Sequence, residues 1–528
     1  MKSCALLALL LAGLAVGTAS AQVRTVTGTV TSADDGTALP GVNVRLGGTT
    51  VGTSTDADGE YMLVLPGPGG TLEFSFVGFV TTTVEVGDRR TVDVALALSV
   101  EALNDVVVVG YGSEERARLA SATSTVEAAD IANTPVAGVD AAIQGRAAGV
   151  QVIQNSGTPG TGITVRVRGH SSVEASNQPL YVVDGVPMLS DNYSQLGYGG
   201  QDITGVTNLS PSDIESVDIL KDASATAIYG SRGANGVVLI TTRRGRSGRP
   251  TITYDAYTGT QNVIRTLDLM NAREYVTYMN EAATNDDSTD VFAYGNPDSL
   301  TADTDWQSEV FRSAPIQSHS LSISGGDLRT RYYVSGSYFD QGGIVIGSGY
   351  DRASVRANLD LTANSRLNVS SSLGLSRESN LRIENDDTIR GVLSNAIANQ
   401  PHIPVLNDDG TFTGTDDGLA YINGVAVGTL NSGESLTYRA LANVHADYRI
   451  AEGFLLNARA GADVLSMREN RYRSPLVGGD YAEQVGGIAI SGYDLATRYL
   501  AEAFATYNRT FGRHAVSATG GGSMETNE

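Results

Sequence analysis

The sequence predicts a mainly β protein in three successive parts: an N-terminal β-sandwich, an α+β domain, and the first part of a transmembrane antiparallel β-barrel. Three observations carry this reading. Short alternating strands broken by Asp-Gly turns fill residues 22–98. A strand, helix, glycine-loop, strand segment runs from Glu215 to Gly245. From Pro250 onward, alternating segments carry tyrosines at the spacing of aromatic girdles. Beyond the first 21 residues no apolar run is long enough for a membrane helix. A chain of this pattern that enters a membrane must do so as a closed barrel, because only helices and barrels satisfy their backbone in lipid.

Residues 1–21 read as an export signal. Lys2 supplies the positive start, Ala5 to Val16 the apolar core, and Ala19-Ser20-Ala21 a small-residue cleavage site before Gln22. The apolar stretch is too short for the alternative, a spanning helix. Cys4, the only cysteine, lies within it, so the mature chain has no disulfide or thiol chemistry. In residues 22–98, Val26-Gly28-Val30, Val42-Val44-Leu46, Glu60 to Leu65, Leu72-Phe74-Phe76 and Val84-Val86 alternate between turns, the spacing of a sandwich. Asp56-Ala57-Asp58-Gly59 invites a calcium loop, but an EF-hand with glycine at 59 needs glutamate at 65, where Leu65 stands. It is a turn.

Residues 99–112 read as a linker holding Asp105 and the run Val106-Val107-Val108-Val109. Such a run is either a buried strand or a strand offered to a partner, since strand addition needs only backbone hydrogen bonds. Residues 113–248 form the α+β domain. Ile163, Val165 and Val167 alternate with Arg166 and Arg168, just before His170. Pro179 to Pro187 is an apolar strand ending in an Asp184-Gly185 turn. In the 215–245 segment Asp222 and Ser224 are placed to cap a short helix, Gly230 to stop it, and Val237 to Thr242 to pair in a sheet.

Residues 249–528 read as about nine barrel strands, near 251–259, 318–325, 330–340, 350–362, 365–378, 435–450, 453–470, 495–509 and 513–523. In the sixth, Tyr438, Ala440, Ala442, Val444, Ala446 and Tyr448 share one face, and Arg439, Asn443, His445 and Asp447 the other. Its two tyrosines are about 33 Å apart along a strand, and a tilt of about 40° brings that to roughly 25 Å, the height of a lipid-facing band. Bacterial barrels have even strand numbers, and plugged transporters about 22. The chain also lacks a terminal aromatic, so the expectation is a C-terminally truncated fragment. The acidic stretches 285–287, 385–387 and 416–417 fall between strands and read as solvated outward loops, with calcium or sugar binding as the alternative.

The formal net charge of −22, or −23 once Lys2 is removed, argues against nucleic-acid binding. Lysine occurs only at 2 and 221. The five histidines, at 170, 319, 402, 445 and 514, show no zinc pattern. Gly157 to Gly162 resembles a phosphate loop but lacks its lysine and reads as a turn. No pair of carboxylates stands out for glycosidic chemistry. No catalytic residues, metal or cofactor are expected, and the chain is not read as an enzyme.

Taken as strings, Glu215–Gly245, Ile163–His170 and Pro179–Pro187 occur in the order of the plug domain of the SusC/RagA-type TonB-linked outer-membrane transporters, which this chain resembles. The preceding sandwich is similar to the carboxypeptidase-regulatory-like domain found before the plug in many of them, a name for a fold that implies no peptidase. The resemblance implies an outer-membrane β-barrel in contact with lipid. It makes Asp105, Val106, Val107, Val108 and Val109 the segment that pairs with TonB, the periplasmic energy-coupling protein. It also implies a SusD-like surface lipoprotein as partner and oligosaccharides or peptides as substrate. Arg166, Arg168, His170, Asp184, Tyr229 and Arg232 belong to plug motifs and are candidates to face substrate, the alternative being salt bridges from plug to barrel wall. Two other readings stand beside transport of this kind: a siderophore or cobalamin receptor, and a non-transporting adhesin.

Overall fold

The structure is a computed structural model. It describes residues 24–528 except 50, 68, 77–78, 98–105, 110–111, 116–122, 132–133, 171, 173–175, 199–200, 202, 204–205, 207, 287–291, 385–389 and 513. The export-signal residues, Asp105 and the acidic triplet at 385–387 lie outside the described residues. The chain divides into two compact units, the first holding the described residues up to Val106 together with Glu115.

That first unit is a β-sandwich. One sheet places β1 (Arg24–Ser32) between β4 (Glu60–Leu65), antiparallel, and β7 (Val94–Leu96), parallel. The other has the order β3 (Gly52–Ser54), β2 (Asn43–Leu46), β5 (Thr71–Ser75), β6 (Thr82–Glu85). Alternation decides which side chains meet: Tyr61, Leu63 and Leu65 of β4 point inward while Glu60, Met62 and Val64 point out. Val26, Val30, Val44, Leu72 and Phe74 complete the core. The Tyr61 ring stands edge-on to Phe74 at 5.5 Å, and its hydroxyl donates to the Val92 carbonyl at 2.9 Å. The Asp56 carboxylate accepts from the Asp58 and Glu60 amides, which makes the expected turn.

Val106–Val109 (β8) pairs with Gly112–Glu115 (β9) in a ribbon of its own.

The second unit contains the α+β domain and the large sheet. The α+β domain is built on a five-stranded sheet of order β10 (Thr123–Glu127), β15 (Ile214–Leu220), β16 (Val237–Thr242), β13 (Leu180–Val183), β14 (Val186–Pro187). The β-branched run Val237–Thr242 is central in it, antiparallel to β15 and parallel to β13. Val237–Ile240 is buried on both faces, which is why that part of the run is apolar throughout rather than alternating. A smaller pair, β11 (Val150–Gln154) and β12 (Ile163–Val167), places Val165 and Val167 in the same core. The helix after β15 has one α-turn, Ala223–Thr226, and continues as 3-10 turns kinked at Gly230, whose φ is 61°.

The nine expected barrel strands form a single antiparallel meander: β17 (Gly248–Gln261), β18 (Ala314–Gly326), β19 (Thr330–Gly342), β20 (Gly349–Asn364), β21 (Leu367–Leu381), β22 (Ser432–Ala451), β23 (Phe454–Arg473), β24 (Ile488–Phe511) and β25 (His514–Asn527). Connections at one end are tight, at 327–329, 365–366, 452–453 and 512–513. Those at the other end are longer, at 262–313, 343–348, 382–431 and 474–487. Outer-membrane barrels have short periplasmic turns and long external loops, which orients the sheet. The long loops are not featureless. Ala272–Asn285 is a helix closed by an Asn271–Glu274 capping box. Shorter helices at Trp306–Val310, Val392–Ala398 and Gly424–Leu430 share a core of Trp306, Val310, Val392, Ala426 and Val427.

Candidate functional site

The two faces of the large sheet differ as period-2 strands require. On β20, Val355, Leu359 and Leu361 are exposed on one face, while Arg352, Arg356 and Asn358 are buried on the other. On β22, Tyr438, Val444 and Tyr448 are exposed and Arg439, Leu441 and Asn443 are buried. The apolar face suits lipid. The polar face holds the α+β domain, with Leu441 and Leu500 joining that domain's core.

Charged groups of this inner face grip the domain's backbone. Arg439 and Asp463 form a buried pair with Nε to Oδ1 at 2.7 Å. Asp463 accepts from the Leu189 amide at 2.8 Å, and Arg439 donates to the Leu189 carbonyl at 3.0 Å and to Asn208 Oδ1 at 3.0 Å. Nearer the loops, Glu469 pairs with Arg382 and accepts from Ser194 Oγ at 2.8 Å and from the Gln195 and Leu196 amides at 2.6 and 3.1 Å. The guanidinium groups of Arg382 and Arg471 lie over the Tyr198 ring, at 4.2 and 5.1 Å from its centroid. Burial pushes the Tyr198 phenol up to about 12 against the pull of those two arginines. Asp213 accepts from Tyr333 at 3.1 Å and Ser335 at 2.5 Å. Arg352 donates to the carbonyls of Ala137 and Leu209. A buried pair of this kind is a weak source of net stability, but removing one partner strands the other, at a cost of about 3–5 kcal/mol.

One buried carboxyl of the domain is different. Asp140 Oδ1 accepts from the Ala141 amide at 2.9 Å, while Oδ2 has no hydrogen bond. Burial raises its pKa to about 6, partly offset by neighbouring amides and Arg352.

The residues singled out from sequence scatter over this arrangement. Asp184, with φ 47°, accepts from the Thr242 amide and hydroxyl at 3.0 and 2.7 Å and lies 4.0 Å from Arg356 of the wall. Its side chain is 1% exposed and turned to the wall. Arg232 pairs with Glu525 on β25. Arg168, with φ 59°, pairs with Asp222 at 2.5 Å inside the domain. Arg166 is partly buried on β12, His170 is exposed, and Tyr229 packs beside Leu220 and Leu239. They do not converge on one site. The wall residues Arg382, Arg439, Asp463 and Glu469 and the loop 189–198 were not picked out from sequence. Their signal was present only as charges on the non-apolar face of alternating strands. Among the described residues no group of three or more His, Cys, Asp or Glu is placed to hold a metal ion.

Residues 115–237 match the family model described as the TonB-dependent receptor plug domain. With the relatives that follow, this match supports a TonB-dependent receptor of the SusC/RagA type. Residues 26–109 match the CarboxypepD_reg-like domain. TonB-dependent receptor P3 of Formosa agariphila is 35% identical over 533 residues, covering 99% of this chain and 50% of that protein. TonB-dependent receptor SusC of Bacteroides thetaiotaomicron is 36% identical over 343 residues, covering 65% of this chain and 32% of that protein. The solved RagAB peptide importer in its open-open state superposes with a TM-score of 0.64 at 25% identity, over 79% of this chain and 48% of that chain. The chain thus spans about half the length of the first relatives it matches. Receptors of this family are outer-membrane β-barrel proteins. The α+β domain is a plug held against a barrel wall.

Proposed function

We propose that this receptor imports a nutrient, an oligosaccharide or a peptide, across the outer membrane, with TonB supplying the force and a SusD-like lipoprotein engaging the external loops. The reading involves no bond-making or bond-breaking and assigns no catalytic residue. A peptide is suggested by the solved RagAB relative, which is a peptide importer, and an oligosaccharide by the family resemblance read from the sequence.

One observation carries the mechanism. The valine strand β8 leads, through β9, into β10, and β10 is an edge strand of the plug sheet. Tension applied at Val106–Val109 reaches the plug at a strand held by one neighbour, β15, through the Thr123–Leu220 to Glu127–Ser216 register. An edge strand can be peeled away pair by pair, whereas a central strand must break two ladders at once. In this reading TonB adds a strand to the valine segment, β10 separates first, and the wall contacts at Leu189, Asn208 and 194–196 yield afterwards. Asp105 belongs to the same proposed contact. Arg166 and His170 remain proposed substrate-facing residues. For Asp184 and Arg232 the wall pairings favour a role in seating the plug.

Deleting residues 105–109 in the full-length protein is expected to abolish uptake while leaving surface binding of substrate intact. Unchanged uptake would refute the TonB contact. The siderophore-receptor reading lacks a place for the carboxypeptidase-regulatory-like domain, and an adhesin needs neither plug nor valine segment. Binding of purified linker plus plug to the TonB C-terminal domain distinguishes transport from adhesion.

A further inference from the structure

The outward face of the barrel sheet is not uniformly ridged. One lateral row carries Tyr254, Leu321, Gly336, Val355 and Leu375 on five successive strands, each directly opposite the next. Gly336 breaks the row. Gly336, Ala353 and Val355 make a low floor between the Tyr254–Leu321 ridge and the Leu375–Tyr438 ridge, and an open groove of about 600 Å³ lies there, mostly apolar, with His319 and Arg377 among its lining residues. The next row toward the external loops holds His319, Tyr338, Arg377 and Tyr438, all on the same face, with His319 Nδ1 2.8 Å from the Tyr254 hydroxyl. Arg377 pairs with Asp351 at 2.6 Å.

Depth decides what fills this groove. Arginine on a lipid-facing strand costs about 2–4 kcal/mol at the bilayer midplane and close to nothing at the interface, where aromatic girdles lie. The Tyr338–Arg377–Tyr438 row therefore sits at the headgroup level, on the side of the long external loops. The groove reaches from this row down into the acyl layer of the outer leaflet. Water is absent at that depth, and an empty groove would forfeit the contacts of all its lining atoms. We infer that the groove is a binding site for an acyl chain of an outer-leaflet lipid, whose headgroup stands at Arg377 and the two tyrosines. The site is independent of what the receptor transports.

Gly336 allows a clean test. A Cβ added there meets nothing closer than the Ser354 carbonyl at 4.0 Å, so a side chain enters the groove without disturbing the sheet. Full-length protein is extracted from outer membranes in mild detergent and its retained lipid counted by native mass spectrometry. Wild type is expected to keep bound lipid. Gly336→Leu is expected to lose it by roughly tenfold, since each buried methylene contributes to retention. Ala442→Leu, on the same lipid-facing side but away from the groove, is expected to retain it. Equal retention by Gly336→Leu and wild type overturns the site. So does a wild-type dimer that carries no lipid and falls apart in Gly336→Leu, because a second copy would then be the occupant. Should Gly336→Leu fail to assemble, wild type in nanodiscs of bromine-labelled lipid decides: bromine density in the groove supports the site, and its absence there refutes it.

Discussion

At the residue scale, the plug is held less by its own charges than by charges the wall presents to its backbone. Glu469 alone receives a hydroxyl and two amides from residues 194–196. Asp463→Asn is expected to leave Arg439 buried without its counter-charge and to weaken plug seating by about 3–5 kcal/mol. Hydrogen exchange at the Leu189 amide, which Asp463 accepts, should rise accordingly. Asp140 has the opposite character. Its folded pKa, about 6, lies above the unfolded value of 3.8, so the folded plug binds a proton more tightly than the unfolded chain does. Its contribution is fully present at low pH and is lost as pH rises through that window, by roughly 3 kcal/mol at 1.36 kcal/mol per unit. Asp140→Asn should flatten the fall in plug stability between pH 4 and 6 seen by thermal melting of the full-length protein. An identical pH profile in the variant would show that Asp140 does not titrate there.

At the element scale, strands were legible because their physics is local. Alternation placed all nine barrel strands, with ends off by a few residues where pairing extends a strand into its loop, as at β24, which runs from Ile488 rather than about 495. Val237–Thr242 was legible as well, since a β-branched run has few alternatives to a sheet. The loop helices were not. The acidic stretches 285–287, 385–387 and 416–417 read as solvated loops, yet the connections 262–313 and 382–431 that contain them carry short helices stabilised by packing on one another through Trp306 and Val427, residues far apart in sequence. The passage from plug to barrel is equally tertiary. A Cβ on Gly245 would stand 2.3 Å from the Tyr332 amide nitrogen. Gly245→Val should therefore prevent the plug from seating beside β19, read as protease sensitivity of the plug in assembled barrels.

At the scale of the whole molecule, one sheet divides two environments. Ala442 faces lipid and Asn443 faces the plug, one residue apart on β22. Ala442→Arg should destabilise the barrel by about 2–4 kcal/mol through lipid exposure alone, measured by folding into vesicles. A conservative change at Asn443 should leave insertion unaffected and alter only plug retention. Equal effects at both positions would contradict the assignment of faces.

What the sequence determined by itself was the class of the strands and of one helix: the sandwich strands, the strand–helix–strand of the plug, the amphipathic barrel strands and the valine segment. These follow from periodicity and turn chemistry within a dozen residues. Only the tertiary structure decided which charges matter. Arg439 and Asp463 are separated by 24 residues, Leu189 and Asp463 by 274, and nothing in local pattern distinguishes them from the other inward-facing charges of the wall. Register brings the first pair together across neighbouring strands, and docking of the plug brings the second. Both are properties of packing, and a linear pattern of polar and apolar residues carries no information about which distant partner a buried charge will meet.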